Sequence, residues 1–204
     1  ASDVYKRQVV AGGVGDGVVL SSAEAYTGAG WTPLPPMPHK ACSATACVLN
    51  GRLYVMGGYG SNKLQVLEMT EENGLSWSCK ADLPANRDSA ASVVHEGRIW
   101  VMGGVVDGFP SASVIIYDAE ADAWETAPSL PWSCWDCCAA MVDGQIFIYH
   151  YSSQSIYRDF PAEELQYDPG VFAYGTGPRH ERGWRESGAV DVAGTRSSVC
   201  GSFL

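Results

Sequence analysis

The stretch Arg52-Leu53-Tyr54-Val55-Met56-Gly57-Gly58 returns as Arg98-Ile99-Trp100-Val101-Met102-Gly103-Gly104, and a third time, altered, as Gln145-Ile146-Phe147-Ile148-Tyr149-His150-Tyr151. A segment that recurs at a fixed interval decides the architecture before any single residue is considered, because each copy buries its apolar face only against its neighbours. Other landmarks keep the same interval of 46 to 47 residues: a turn glycine before each copy (Gly51, Gly97, Gly144), a tryptophan (Trp31, Trp77, Trp124), and a Leu-Pro or Met-Pro step (Pro38, Pro84, Pro131).

Between Arg52 and Met56 apolar side chains do not alternate with polar ones, so both faces of this short strand must be covered by protein. The paired glycines that follow accept positive φ and allow a neighbouring sheet to come close. The pair stands at Gly57-Gly58 and Gly103-Gly104, and at Gly12-Gly13 after Val10-Ala11. A third strand is expected at 64–69, 114–117 and 165–167, and the tryptophan marks a fourth, where filling a gap between sheets stabilises by roughly 2–3 kcal/mol. Four short strands per unit of about 45 residues, with no helical periodicity, predict an all-β fold in which each unit is one propeller blade. A β-sandwich is the competing all-β arrangement, but its strands need not recur as a fixed four-strand unit.

The combination of features is similar to kelch repeats over about residues 9–168. It comprises Gly-Gly after an apolar strand, an aromatic or apolar residue on the third strand (Tyr26, Met69, Tyr117), Trp on the fourth, and Arg87 opening the next first strand. The repeat signature is then Gly12, Gly13, Trp31, Gly57, Gly58, Trp77, Gly103, Gly104, Tyr117 and Trp124. The resemblance implies a kelch-type β-propeller of four-stranded antiparallel blades. Its units are an incomplete blade over 9–38, whole blades over 39–84 and 85–131, a degenerate one over 132–190, and the start of a further blade over 191–204. Both ends fall inside a blade, so the chain is expected to be a fragment of a longer ring. Asp3-Val4-Tyr5-Lys6-Arg7-Gln8 resembles the translation of a sequencing-library transposon adaptor, which makes residues 1–8 a non-native segment on this reading.

A net charge of −10 without any basic run disfavours a phosphate-tracking surface, and no 18-residue apolar stretch is present. Neither nucleic acid nor a membrane is therefore expected as a partner. Seven cysteines form an odd set without a compact disulfide framework, and Asn-x-Ser/Thr sites are absent. These features predict mostly reduced thiols in a cytosolic or nuclear protein.

In Cys134-Trp135-Asp136-Cys137-Cys138, thiolates this close can share a metal or form a redox pair. Alignment on the turn glycines, however, sets Cys137 and Cys138 level with Ala90 and Ala91, where cysteine serves as a small apolar filler. Cys42 and Cys47 fall on the same kind of strand. The histidines (His39, His95, His150, His180) are dispersed, no pair has a ligand spacing, and no phosphate-cradling loop or catalytic triad motif occurs. Neither a metal nor another cofactor is expected.

A surface is the stronger candidate. The loop after the second strand and the loop leading into the next first strand emerge on one face of a propeller, and in kelch-like proteins that face commonly holds partners. Here it carries Tyr59, Arg87, Asp88, Phe109, Trp132, Trp135, Tyr151, Tyr157, Arg158 and Phe160, with Asn62, Lys63, Asp107 and Ser111 beside them. Aromatics and arginine anchor interfaces because they desolvate large areas while keeping a polar handle. The resemblance implies a non-catalytic protein-binding module, such as a ubiquitin-ligase substrate receptor or a cytoskeletal scaffold. The alternative on the same fold is a sugar-processing enzyme of the sialic-acid mutarotase or copper sugar oxidase kind.

Overall fold

A computed structural model describes residues 8–70, 74–142, 144–149, 171–174 and 184–186, all of whose regular elements are strands. The first sheet holds β1 (Gln8–Ala11), a tip hairpin of β2 (Val14–Gly15) and β3 (Val18–Val19), then β4 (Ala23–Tyr26) and β5 (Trp31–Leu34), in the order β1-β4-β5. The second is a meander of β6 (Thr45–Leu49), β7 (Arg52–Met56), β8 (Leu64–Thr70) and β9 (Gly74–Cys79).

The third begins with the short β10 (Arg87–Asp88), continues through β11 (Ala91–His95) and β12 (Arg98–Met102), and forms a tip hairpin from β13 (Val105–Val106) and β14 (Phe109–Pro110). It closes with β15 (Val114–Asp118) and β16 (Ala123–Ala127). The fourth comprises β17 (Cys138–Val142), β18 (Gln145–Tyr149), β19 (Val171–Tyr174) and β20 (Trp184–Glu186). All pairings are antiparallel. We call the four sheets blades one to four.

The second strands have both faces covered, as their unbroken apolar runs require. From β7, Tyr54 and Met56 pack against Ile99, Val101, Ile115 and Tyr117 of blade three, while Val55 packs on Met37 and Ala41 on the other side. From β12, Trp100 and Met102 meet Ile146 and Ile148 of blade four. Each fully buried side chain of this size contributes roughly 1.5–3 kcal/mol through removal from water.

Between blades the main chain makes the same contact three times. The amide of Gly13 donates to Ala41 O at 2.7 Å, that of Gly58 to Arg87 O at 2.8 Å, and that of Gly104 to Cys134 O at 2.6 Å. The first glycine of each pair makes room for this approach. A Cβ on Gly12, Gly57 or Gly103 would lie 2.2, 2.1 or 2.6 Å from that same carbonyl oxygen, and all three residues have positive φ. The acceptor residues Ala41, Arg87 and Cys134 are also tied from their own amides, to Leu20 O, Ser61 O and Cys134's partner Ser111 O.

The innermost strands of successive blades are held side by side by Thr45 Oγ1 and Ser92 Oγ at 2.7 Å. The amides of Ser89 and Asp136 each donate at 2.9 Å to the equivalent residue one blade back, Ser43 and Ser89. All three of these residues sit at positive φ.

Three expectations need adjustment. Gln8 is the first residue of β1 and pairs with Tyr26, so the fold reaches into the segment read as foreign; its other residues lie outside the described ones. Leu67, not Met69, occupies the third-strand position of Tyr26 and Tyr117, because Tyr26 faces Trp31, Leu67 faces Trp77 and Tyr117 faces Trp124. The hairpin of blade two is longer, which displaces the count. Residues 165–167 lie outside the described residues, and the strand beside β18 is β19.

A methyl group at the seam should be far more damaging than one at an open turn. Gly57→Ala should cost at least about 2 kcal/mol, from the steric conflict and the left-handed backbone together. Gly144→Ala, where nothing lies within 4 Å of the added atom, should cost only about 1–2 kcal/mol. Denaturant unfolding of the two variants checks the difference.

Candidate interaction face

The antiparallel order of each blade sends its second-to-third-strand loop and the loop into the next blade to one end. Hydrogen bonds join the two sets: Tyr59 donates its amide to Cys42 O at 2.9 Å, and Asp107 to Asn86 O at 3.1 Å. Asp107 Oδ1 in turn accepts from the Asn86 amide at 3.2 Å. A tight turn between β13 and β14, with Asp107 and Gly108 both at positive φ, leaves Phe109 76% exposed at its foot. Tyr59 is 79% exposed and Trp132 37%.

These three aromatics therefore stand outward at the same end. Val14 and Val18, exposed on the hairpin of blade one, extend the apolar surface; the sequence reading passed over them. Valines flanking Asp16-Gly17 are the signal that could have marked that hairpin.

The other expected contacts divide. Asp88 and Trp135 are half-buried. Asn62 Nδ2 donates to Leu83 O at 3.4 Å, and Lys63 pairs with Asp82, so both serve the loop itself. Tyr151, Tyr157, Arg158 and Phe160 lie outside the described residues.

Arg87 must be withdrawn as a surface anchor. It is only 5% exposed. Its guanidinium donates to Gly103 O at 2.5 Å, Ser113 O at 3.3 Å and Ser113 Oγ at 2.8 Å, clamping the start of blade three to its second-to-third-strand crossover. Burial lowers its pKa to about 10, which still leaves it charged at neutral pH. A planar fork that meets carbonyls and a hydroxyl around it is suited to this interior task.

The repeat tryptophans do similar work. Trp77 Nε1 donates to Pro35 O at 2.7 Å and Trp124 Nε1 to Ala81 O at 2.9 Å, each reaching one blade back. Trp31 leans on Tyr26 at 5.5 Å between ring centroids. Asp122 completes the seam between blades two and three, accepting from Tyr117 Oη at 2.7 Å and from the Ala81 amide at 2.8 Å. These two donors hold its carboxyl below the usual carboxylate range. Burial, and then the Asp122 partner, push the Tyr117 hydroxyl up. No composition or period signalled Asp122, because only its distant partners give it a role.

The cysteines differ from expectation in one respect. Cys134 and Cys137 form a disulfide, with Cα atoms 6.2 Å apart, instead of remaining thiols. Both are buried beside Met102, Leu130 and Ile148, so Cys137 fills space as expected, though through a cross-link, whereas Cys138, expected to fill space beside it, is exposed. Cys42, Cys47, Cys79 and Cys138 are not bridged. Burial pushes the Cys47 thiol up to about 12, which makes it inert as a nucleophile at neutral pH. Among the described residues no three His, Cys, Asp or Glu side chains converge to hold a metal ion. His95 is buried with its ring edge-on to Trp100 at 5.6 Å, and His39 is exposed.

Sheets of four antiparallel strands, sealed face to face and joined at one end by a loop surface, define a β-propeller architecture. The Kelch motif matches residues 40–69 and 86–131, in blades two and three. Among solved structures, the chain is similar to YjhT, with a TM-score of 0.62 and 18% identity over 79% of this chain and 55% of that one. It is also similar to a fungal alcohol oxidase of the AA5 family in complex with copper, with a TM-score of 0.56 and 18% identity over 65% and 34% of the two chains. The chain thus spans about half the length of the first and a third of the second. No curated protein sequence matches it.

Arg87→Ala should destabilise by about 3 kcal/mol, because Ser113 and Gly103 O lose a buried charged donor; a melting curve checks this. For Asp122, the depressed folded pKa means that its stabilisation is present above the unfolded value and is lost as pH falls through the folded one. Wild type should therefore lose more stability than Asp122→Asn when pH is lowered from about 5 to about 3, as measured by denaturant unfolding at each pH.

Proposed function

We propose that this chain is a protein-binding propeller segment whose loop face captures a partner through Tyr59, Phe109 and Trp132. The observation that carries the reading is the outward placement of three large aromatics at one end of the blades, on loops joined to one another by main-chain hydrogen bonds such as Tyr59 N to Cys42 O and Asp107 N to Asn86 O. Singly exposed apolar side chains are ordinary on a soluble protein, whereas several on neighbouring loops of one face fit an anchor set. Trp135 and Asp88, half-buried beside them, would form the rim. Partner classes such as a ubiquitin-ligase substrate or a cytoskeletal protein follow from the kelch resemblance, not from any feature of these loops.

The second reading, a sugar-processing enzyme, draws support from the fold likeness to the alcohol oxidase in complex with copper. The described residues do not fit a copper centre, since their histidines stand apart and no three donor side chains converge. Metal analysis of the purified protein separates the two readings, with stoichiometric copper favouring the enzyme.

For binding, Tyr59→Ala, Phe109→Ala and Trp132→Ala should each weaken partner capture by about 1–3 kcal/mol while leaving the melting temperature within a few degrees of wild type. Capture by immobilised wild-type and variant chains, with melting curves run in parallel, measures both. Equal capture by all four proteins would remove the anchor set.

A further inference from the structure

Cys134 stands one repeat after Arg87 and two after Ala41, and each of these residues presents its carbonyl to the glycine pair of the preceding blade. At Arg87 the presenting loop is fixed by a guanidinium bound to Gly103 O and Ser113. At Cys134 no such side chain is available, and the Cys134–Cys137 disulfide closes the loop on itself. The loop that presents the Cys134 carbonyl to blade three is therefore held by a covalent bond that redox chemistry can break. We propose that this disulfide is a redox-responsive staple that fixes the Cys134 carbonyl against Gly103 and Gly104.

The chemistry balances with a dithiol reductant. The S–S bond breaks, Cys134 and Cys137 each gain an electron and a proton as thiols, and the dithiol closes into its own disulfide. Position also sets the rate. Both sulfurs lie in the core shared by Met102, Val114 and Ile148, so the reductant reaches them only when the loop opens. A closed loop of this kind restrains the open state, and cutting it widens the set of conformations in which Gly104 has lost its acceptor. Neither of the other two seams carries a cross-link, so the response is local to blades three and four.

The experiment is native-state hydrogen exchange of the whole chain, oxidised and after treatment with dithiothreitol, with thiols counted by alkylation and mass spectrometry. In the oxidised protein, Cys134 and Cys137 should resist alkylation. Reduction should make both modifiable and speed exchange at the Gly104 amide by roughly tenfold or more, while the equivalent amides of Gly13 and Gly58 stay within about twofold. Cys134→Ala/Cys137→Ala should show the fast Gly104 exchange with or without reductant; should that variant not fold, the wild-type titration decides alone. Alkylation of both cysteines before reduction, or Gly104 exchange unchanged by it, would overturn the proposal.

Discussion

The approach of one carbonyl oxygen to one glycine α-carbon governs the spacing of the blades. The approach is close enough that a single methyl group would block it: a Cβ added to Gly57 would lie 2.1 Å from Arg87 O. Because the hydrogen bond from the second glycine fixes the same oxygen, separation and register are set together. The apolar layers then have a gap of fixed width to fill, and side chains such as Met56, Ile99 and Tyr117 fill it.

Polar side chains secure what this contact leaves loose. Indole donors reach back one blade, Asp122 joins a tyrosine to a main-chain amide across a seam, and Gln65 receives the His39 amide at 2.7 Å from inside blade two. Where such a group is buried, as Gln65 is, it is costly when unpaired and specifies geometry when paired. Surface pairs such as Arg52 with Glu68 add little beyond orientation.

The architecture was largely legible in the sequence because the repeat is carried by backbone needs. Gly-Gly, the turn glycine and the unbroken apolar strand each answer a constraint that few residues satisfy, so they recur where the constraint recurs. Leu67 was harder to place, since a longer hairpin shifts the third strand without changing its pattern. Arg87 was misjudged for a related reason: an arginine in a loop looks like a surface anchor until its acceptors, Gly103 O and Ser113, are known. The disulfide was hidden because Cys137, on a small-residue position, is equally consistent with filling space, and Cys134 stands level with an arginine. Of the candidate face, the outward aromatics at Tyr59, Phe109 and Trp132 could be read from their loop positions, whereas Val14 and Val18 needed the geometry of the tip hairpin.

Ala41, Arg87 and Cys134 have little in common as side chains, yet each offers the same oxygen to the preceding glycine pair. The contact itself is made from main-chain atoms, while Arg87 and the Cys134–Cys137 disulfide differ in how they steady the loop that presents it. The blades therefore behave as interchangeable parts: a second blade grafted in place of the third would inherit a compatible joint on both sides, whatever its loops displayed. Variation can accumulate at the loop tips without disturbing the fit between neighbours.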